Sequence, residues 1–172
     1  LNISEDLATA ASRNLLETTH LEPRYLEQLY AFGSLDRSPG SNLADRVVSI
    51  VYWALVGNDE AGTAVESENV QWFWADELPA LAFDHNEIVS YALWRLRNKL
   101  EYSRLAHRFL PELFTLAQLR EVYEAVLNRE LDPGNFRRTV EAEGAVVPTG
   151  ERLAGTKHRP PQLYRANQTG EN

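Results

Sequence analysis

Apolar residues Leu7, Ala10, Ala11 and Leu15 recur at helical spacing and predict an opening helix from Glu5 to about Thr19. His20-Leu21-Glu22-Pro23 ends it, because proline disfavours helical backbone in the residue before it. Two strand-like stretches come next. Tyr25 to Phe32 is rich in aromatics and leucine, and Val47 to Val56 is a near-continuous apolar run of the kind shown by a strand buried on both faces. Gly33 to Ala44, with Pro39-Gly40 inside it, reads as loop, and Gly57 to Asn69 as a polar turn region. Val70 to Ala75 reads as a short aromatic strand, with Trp72 and Trp74 on one face and expected in a core.

After Leu81-Ala82-Phe83 the period changes. Asp84 stands as an N-cap with Glu87 three residues on, and Ile88, Val89, Ala92, Leu93, Leu96 and Leu100 form an apolar stripe out to about Leu105. This long helix is expected to connect two units. Thr115 and Gln118 repeat the capping-box spacing ahead of a helix whose buried face is Leu116, Leu119, Val122, Tyr123 and Val126. Another helix opens at Asp132-Pro133, a cap followed by proline at the first helical position, and stops at Gly144. Phe136 and Val140 face inward on it, leaving Asn135, Arg137, Arg138 and Glu141 outward. Val146-Val147, the loop holding Gly150 and Gly155, and Gln162-Leu163-Tyr164 then predict a hairpin.

Two short helices, the second carrying paired arginines, followed by a hairpin make a winged helix-turn-helix pattern. In such modules the second helix enters the major groove, where Arg bonds guanine and Asn bonds adenine, while the wing meets backbone or minor groove. The plain alternative is a solvated helix face and a tail. Charge bears on the choice. The net charge of -8 would by itself argue against nucleic acid, since phosphate binding runs on Lys and Arg. The deficit is nevertheless local: residues 1–106 hold 8 Lys and Arg against 16 Asp and Glu, whereas residues 107–172 hold 9 of each. Arg152, Lys157, Arg159 and Arg165, with His158, fall in a stretch from 152 to 165 that contains no acid. Two units with different tasks are implied.

With no Cys in the chain, disulfides, a thiol nucleophile and any Cys-based zinc site are excluded. The longest apolar run is too short to span a bilayer, and no signal segment opens the chain, so a cytoplasmic location without membrane contact is expected. The absence of Met leads us to expect residues ahead of Leu1.

A family resemblance rests on an ordered set of segments. Glu22-Pro23-Arg24-Tyr25-Leu26-Glu27-Gln28-Leu29-Tyr30 with Phe32-Gly33 resembles the segment after the signature helix in the Nudix-related transcriptional regulators of NAD metabolism. Similar too are Leu81-Ala82-Phe83-Asp84-His85, the run from Leu96 to Tyr102, Phe114-Thr115-Leu116, Asn135-Phe136-Arg137-Arg138, and Arg159-Pro160-Pro161 with Leu163-Tyr164. The resemblance implies an α+β chain: a partial Nudix-like α/β/α sensing domain over 1–83 whose first strands precede Leu1, a connecting helix over 84–106, a winged helix over 107–168 and a tail over 169–172. It also implies a homodimer that represses genes of NAD synthesis or salvage from a double-stranded operator. The effector would be ADP-ribose or a related nucleotide, with no cofactor required.

The Nudix box itself is degenerate. It runs Gly, five residues, Glu, seven residues, Arg-Glu, an aliphatic, any residue, Glu-Glu, any residue, Gly, an aliphatic. Glu5, Arg13, Leu15, Glu17 and Leu21 fit, but Asn14 and Thr18 replace catalytic glutamates and His20 replaces the glycine. The opening glycine would fall just before Leu1, which places the start of this chain inside the box. Pyrophosphate hydrolysis on this helix needs several carboxylates to hold divalent cations. We therefore expect no catalytic and no metal site, with Arg13 and Glu17 left as ligand-binding candidates. DNA-binding candidates are Asn135, Arg137, Arg138, Arg152, Lys157, His158 and Arg159. The competing readings are a metal-dependent ADP-ribose hydrolase with an accessory helical domain, a bare dimerisation scaffold, and a protein-interaction module.

Other features add little. Asp84-His85 fits helix capping better than metal or acid-base chemistry. No phosphate-binding Gly-rich loop, Ser/His/Asp constellation or internal repeat is present.

Overall fold

The computed structural model describes residues 3–23, 25–37, 47–57, 61, 70–102, 104–154 and 160–167. They divide into two compact units, Leu1–Arg95 and Leu96–Asn172.

In the first unit, helix α1 (Leu7–Thr19) starts where the Asp6 carboxylate accepts from Thr9 N at 2.7 Å. It stops at His20, whose φ of 61° is left-handed and whose N–H donates to Leu16 O. Strands β1 (Tyr25–Phe32) and β2 (Ser49–Leu55) pair antiparallel from Tyr25 opposite Leu55 to Phe32 opposite Ser49. The register slips between Gln28 and Tyr30, and Leu29, 2% exposed, sits in the bulge. The carbonyl of this residue is satisfied by Arg95 Nη1 at 3.0 Å, while Arg95 Nη2 reaches Glu27 at 3.1 Å. Tyr30, Phe32 and Tyr91 meet ring to ring, and Trp94 leans on Tyr91 at 5.5 Å.

Three expectations for this unit need correction. The apolar run around β2 is not buried on both faces: Ile50 is 43% exposed, because β1 is its only partner strand among the described residues. Val70 to Ala75 forms no strand beyond one bridge at Val70, and its aromatics lie outside the core, with Trp74 79% exposed. Asp84 stands immediately before helix α2 (His85–Tyr102), and its backbone carbonyl accepts from Glu87 and Ile88. Its carboxylate, however, is drawn to Arg37 Nε at 2.6 Å and does not cap. Arg37, only 7% exposed, also donates to Phe32 O, so a buried guanidinium outcompetes the weaker amide donors for that carboxylate.

The unit boundary falls within α2. That helix ends at Tyr102 rather than Leu105, and a 3₁₀ turn (Arg104–Phe109) takes over. The change of pitch lets consecutive Leu105 and Ala106 both be buried.

The second unit holds α3 (Leu116–Leu127), α4 (Pro133–Ala142) and the antiparallel hairpin β3 (Val146–Arg152) and β4 (Gln162–Ala166). Leu100, Ala106, Phe114, Leu119, Val140, Val146 and Tyr164 form its core. Phe114 adds a third line to the sheet, exchanging backbone hydrogen bonds with Tyr164 at 3.0 and 2.8 Å.

Candidate functional site

The two helices of the second unit are started and stopped by their own sequence. Thr115 accepts from Gln118 N, and the Gln118 side chain accepts from Thr115 N at 2.8 Å, closing a reciprocal capping box on α3. Asn128 ends that helix at φ 51°. The turn after it is pinned by side chains: Glu124 accepts from Leu131 N at 2.8 Å, and Arg120 joins Glu124 and Leu131 O, each at 3.1 Å. Asp132 caps α4 by accepting from Asn135 N at 2.8 Å, with Pro133 at the first helical position. Phe136 packs on Tyr123 at 5.3 Å between centroids, and Val140 is 4% exposed, which turns the opposite face of α4 to solvent.

That face carries the expected polar residues together. Asn135, Arg137 and Arg138 are all exposed, and Arg138 donates from Nη2 to Asn135 Oδ1. Arg137, 61% exposed, donates from Nε to Glu141 Oε1 at 3.0 Å. Amide and guanidinium groups presented in this way match the hydrogen-bonding edges of bases and the oxygens of phosphates.

The hairpin begins after Gly144, whose φ of 60° suits glycine. Its pairs run from Val146 opposite Ala166 to Arg152 opposite Gln162, with an irregularity beyond Pro148 where Gly150 adopts φ 81°. Arg152 is exposed and donates from Nη1 to Pro160 O at 2.8 Å, fastening the base of the tip. Arg165 is exposed on β4. Lys157, His158 and Arg159 lie outside the described residues.

In the first unit, Arg13 and Glu17 are brought together at 3.0 Å, but chiefly within a network built on Glu5. Arg13 donates from Nε and Nη2 to the two oxygens of Glu5 at 3.1 and 2.7 Å. The bond to Glu5, then that to Glu17, holds the guanidinium pKa above its ordinary value. Asn14 turns its side chain back to Ala10 O at 2.9 Å, and Thr18 is exposed. Among the described residues no group of three or more His, Asp or Glu converges as a metal site would require. Nearby, an apolar pocket of about 320 Å³ opens between Leu15, Thr19 and Leu21 of the α1 end and Ala54, Val70 and Trp72; neither Arg13 nor Glu17 lines it.

Two residues to which sequence reasoning gave no site role stand out. Glu5 was matched only by spacing to Arg13, yet it is the acid that orients that guanidinium, and its side chain is 9% exposed. Glu141 accepts from both Arg137 and the buried Tyr164, whose Oη lies at 3.2 Å. The four-residue separation from Arg137 signals the first contact; nothing local signals the second.

Comparison with known proteins places both units. The NrtR DNA-binding winged helix domain matches residues 106–166. The ADPR responsive transcriptional repressor NtrR of Acinetobacter baylyi is 34% identical over 169 residues, and the alignment takes in 96% of this chain but 65% of that protein. The chain thus spans just under two thirds of this curated relative's length. NrtR of Shewanella oneidensis, solved with a 27mer DNA, superposes with a TM-score of 0.74 at 30% identity, over 96% of this chain and 74% of that one. A MutT/nudix family protein from Enterococcus faecalis shares the fold, with a TM-score of 0.72 at 23% identity over 97% of this chain and 72% of that one. A capped helix pair and hairpin, preceded in the chain by a helix whose Arg13 grips Glu5 ahead of it and Glu17 within it, together with these similarities make the chain a member of the Nudix-related transcriptional regulators of the NrtR type.

Proposed function

We propose that this chain is a transcriptional repressor that binds double-stranded operator DNA upstream of genes for NAD synthesis or salvage. ADP-ribose or a related nucleotide is its effector, bound by the Nudix-like unit. The observation that carries the reading is the solvent face of α4, where Asn135, Arg137 and Arg138 stand on a helix positioned by a pinned turn and flanked by a hairpin carrying Arg152 and Arg165. Asn135, Arg137 and Arg138 enter the major groove. Arg152 and, after it in the sequence, Lys157, His158 and Arg159 meet the backbone. The S. oneidensis structure with DNA and the A. baylyi repressor support this assignment.

The Nudix-like unit senses without hydrolysing. Asn14 and Thr18 supply no charge to hold divalent cations, and Arg13 with Glu17 contributes to ligand binding beside the Glu5 anchor. The protein works as a cytoplasmic homodimer on a palindromic site; no helix among the described residues is long and apolar enough to cross a membrane.

Fluorescence anisotropy of the protein against labelled duplexes from regions upstream of NAD-synthesis genes tests the reading. Binding that weakens steeply as salt rises, and that changes on adding ADP-ribose, is expected. Absence of binding at low salt overturns it.

A further inference from the structure

Glu141 projects from the outward face of α4, where a carboxylate repels phosphate, and yet it sits among the groups assigned to DNA. Its Oε1 accepts two hydrogen bonds of different origin. One comes from Arg137 Nε, a turn earlier on the same helix, at 3.0 Å. The other comes from Tyr164 Oη, at 3.2 Å. Tyr164 is 4% exposed, belongs to the core, and is held through its backbone to Phe114 and in register with Pro148. The carboxylate is therefore tied to the buried part of the hairpin, and it fixes one edge of the guanidinium above it.

A guanidinium offers two bidentate faces, one through Nε and an Nη, the other through the two Nη groups. With Nε committed to Glu141, the end-on pair remains, and Nη1 and Nη2 of Arg137 donate to no partner among the described residues. Resting on the operator-binding reading, we propose that Glu141 is a positioning residue. It touches no DNA itself and orients Arg137 so that the Nη1/Nη2 fork meets the O6 and N7 acceptors of a guanine. Tyr164 holds Glu141 in place. The residue thus gives sequence discrimination at the expense of some affinity for the backbone.

The test uses the full-length protein and two probes: the duplex it enriches from a randomised palindromic pool, and poly(dA-dT), which offers no guanine edge. Glu141→Gln keeps the shape and removes the charge. The ratio of operator to poly(dA-dT) affinity is expected to fall about tenfold, within what one bidentate base contact contributes, while affinity for poly(dA-dT) holds or rises. Tyr164→Phe should lower the ratio in the same direction. In an Arg137→Ala background Glu141→Gln should change the ratio no further, which a purely structural role would not produce. A ratio unchanged by Glu141→Gln, or a fall that persists in the Arg137→Ala background, overturns the assignment of Glu141 alone. If the wild type enriches no duplex, the operator-binding reading fails and the role of Glu141 falls with it.

Discussion

Arg13 grips Glu5 with two nitrogens, Nε at 3.1 Å and Nη2 at 2.7 Å, so the segment ahead of α1 is tied to the middle of that helix. A fork-to-fork pair carries both direction and charge, and an ammonium at the same place would make only one of the two bonds. Arg13→Lys is expected to lower the thermal midpoint of the protein, and Arg13→Ala to lower it further. An Arg13→Lys protein as stable as the wild type in a thermal melt would show that the geometry of the pair does not matter.

His20 occupies the left-handed end of α1, at the position where a Nudix box carries glycine. A side chain in that conformation costs about 1 kcal/mol, which the extra freedom of an unfolded glycine partly offsets. His20→Gly should stabilise the protein by ~0.5 kcal/mol and raise the midpoint by about 1–2 °C, read by calorimetry.

Phe114 is 1% exposed and serves the second unit twice, as core side chain and as backbone partner of Tyr164. Phe114→Ala leaves a cavity and should cost about 3–5 kcal/mol in denaturant unfolding. Operator binding is expected to weaken with it, because the core that positions α4 and the hairpin loses a fully buried ring. A Phe114→Ala protein with native stability would contradict the core assignment.

The Arg37 guanidinium holds the Asp84 carboxyl below the usual carboxylate range, through the hydrogen bond at 2.6 Å. A depressed folded-state pKa means that the stabilisation is fully present above about pH 4 and is lost as pH falls through the folded value. Asp84→Asn should therefore be less stable than the wild type near neutrality, and the gap should narrow below about pH 4. Melting curves across that range check the sign; a constant gap would exclude the ion pair as its source.

Asn14 and Thr18 leave the α1 helix short of carboxylates, so no metal-dependent release of AMP from ADP-ribose is expected with magnesium or manganese present. ADP-ribose should still raise the melting temperature, since selective binding to the native state stabilises it by mass action. Sustained turnover would return the hydrolase reading.

Between β3 and β4 in the chain, Lys157→Glu and Arg159→Glu should each weaken operator binding and lower the slope of log affinity against log salt by about 1. A slope equal to that of the wild type would remove that residue from the backbone contacts.

Much of this architecture is legible in the chain. Thr115 with Gln118, and Asp132 with Pro133, mark the starts of two helices, and Gly144 marks the stop before the hairpin, because capping bonds join residues two to four apart. The inward placing of Phe136 and Val140 follows from helical period alone, and it sends Asn135, Arg137 and Arg138 outward. Other features are not local. Trp72 and Trp74 alternate as strand residues do, but a strand needs a neighbour to hydrogen-bond with, and among the described residues only the Val70 bridge provides one. Asp84 has the sequence of a cap, and a guanidinium from Arg37 claims it instead.

The sequence by itself determined the order of helices, the hairpin, the outward basic residues and the degenerate Nudix box, all of which depend on near neighbours and side-chain type. Only the tertiary structure decided which distant donors the carboxylates serve. Glu5 meets Arg13 across eight residues, Asp84 meets Arg37 across 47, and Glu141 meets Tyr164 across 23. Such pairings are set by where the packed core brings the chain back on itself, and no local period encodes them.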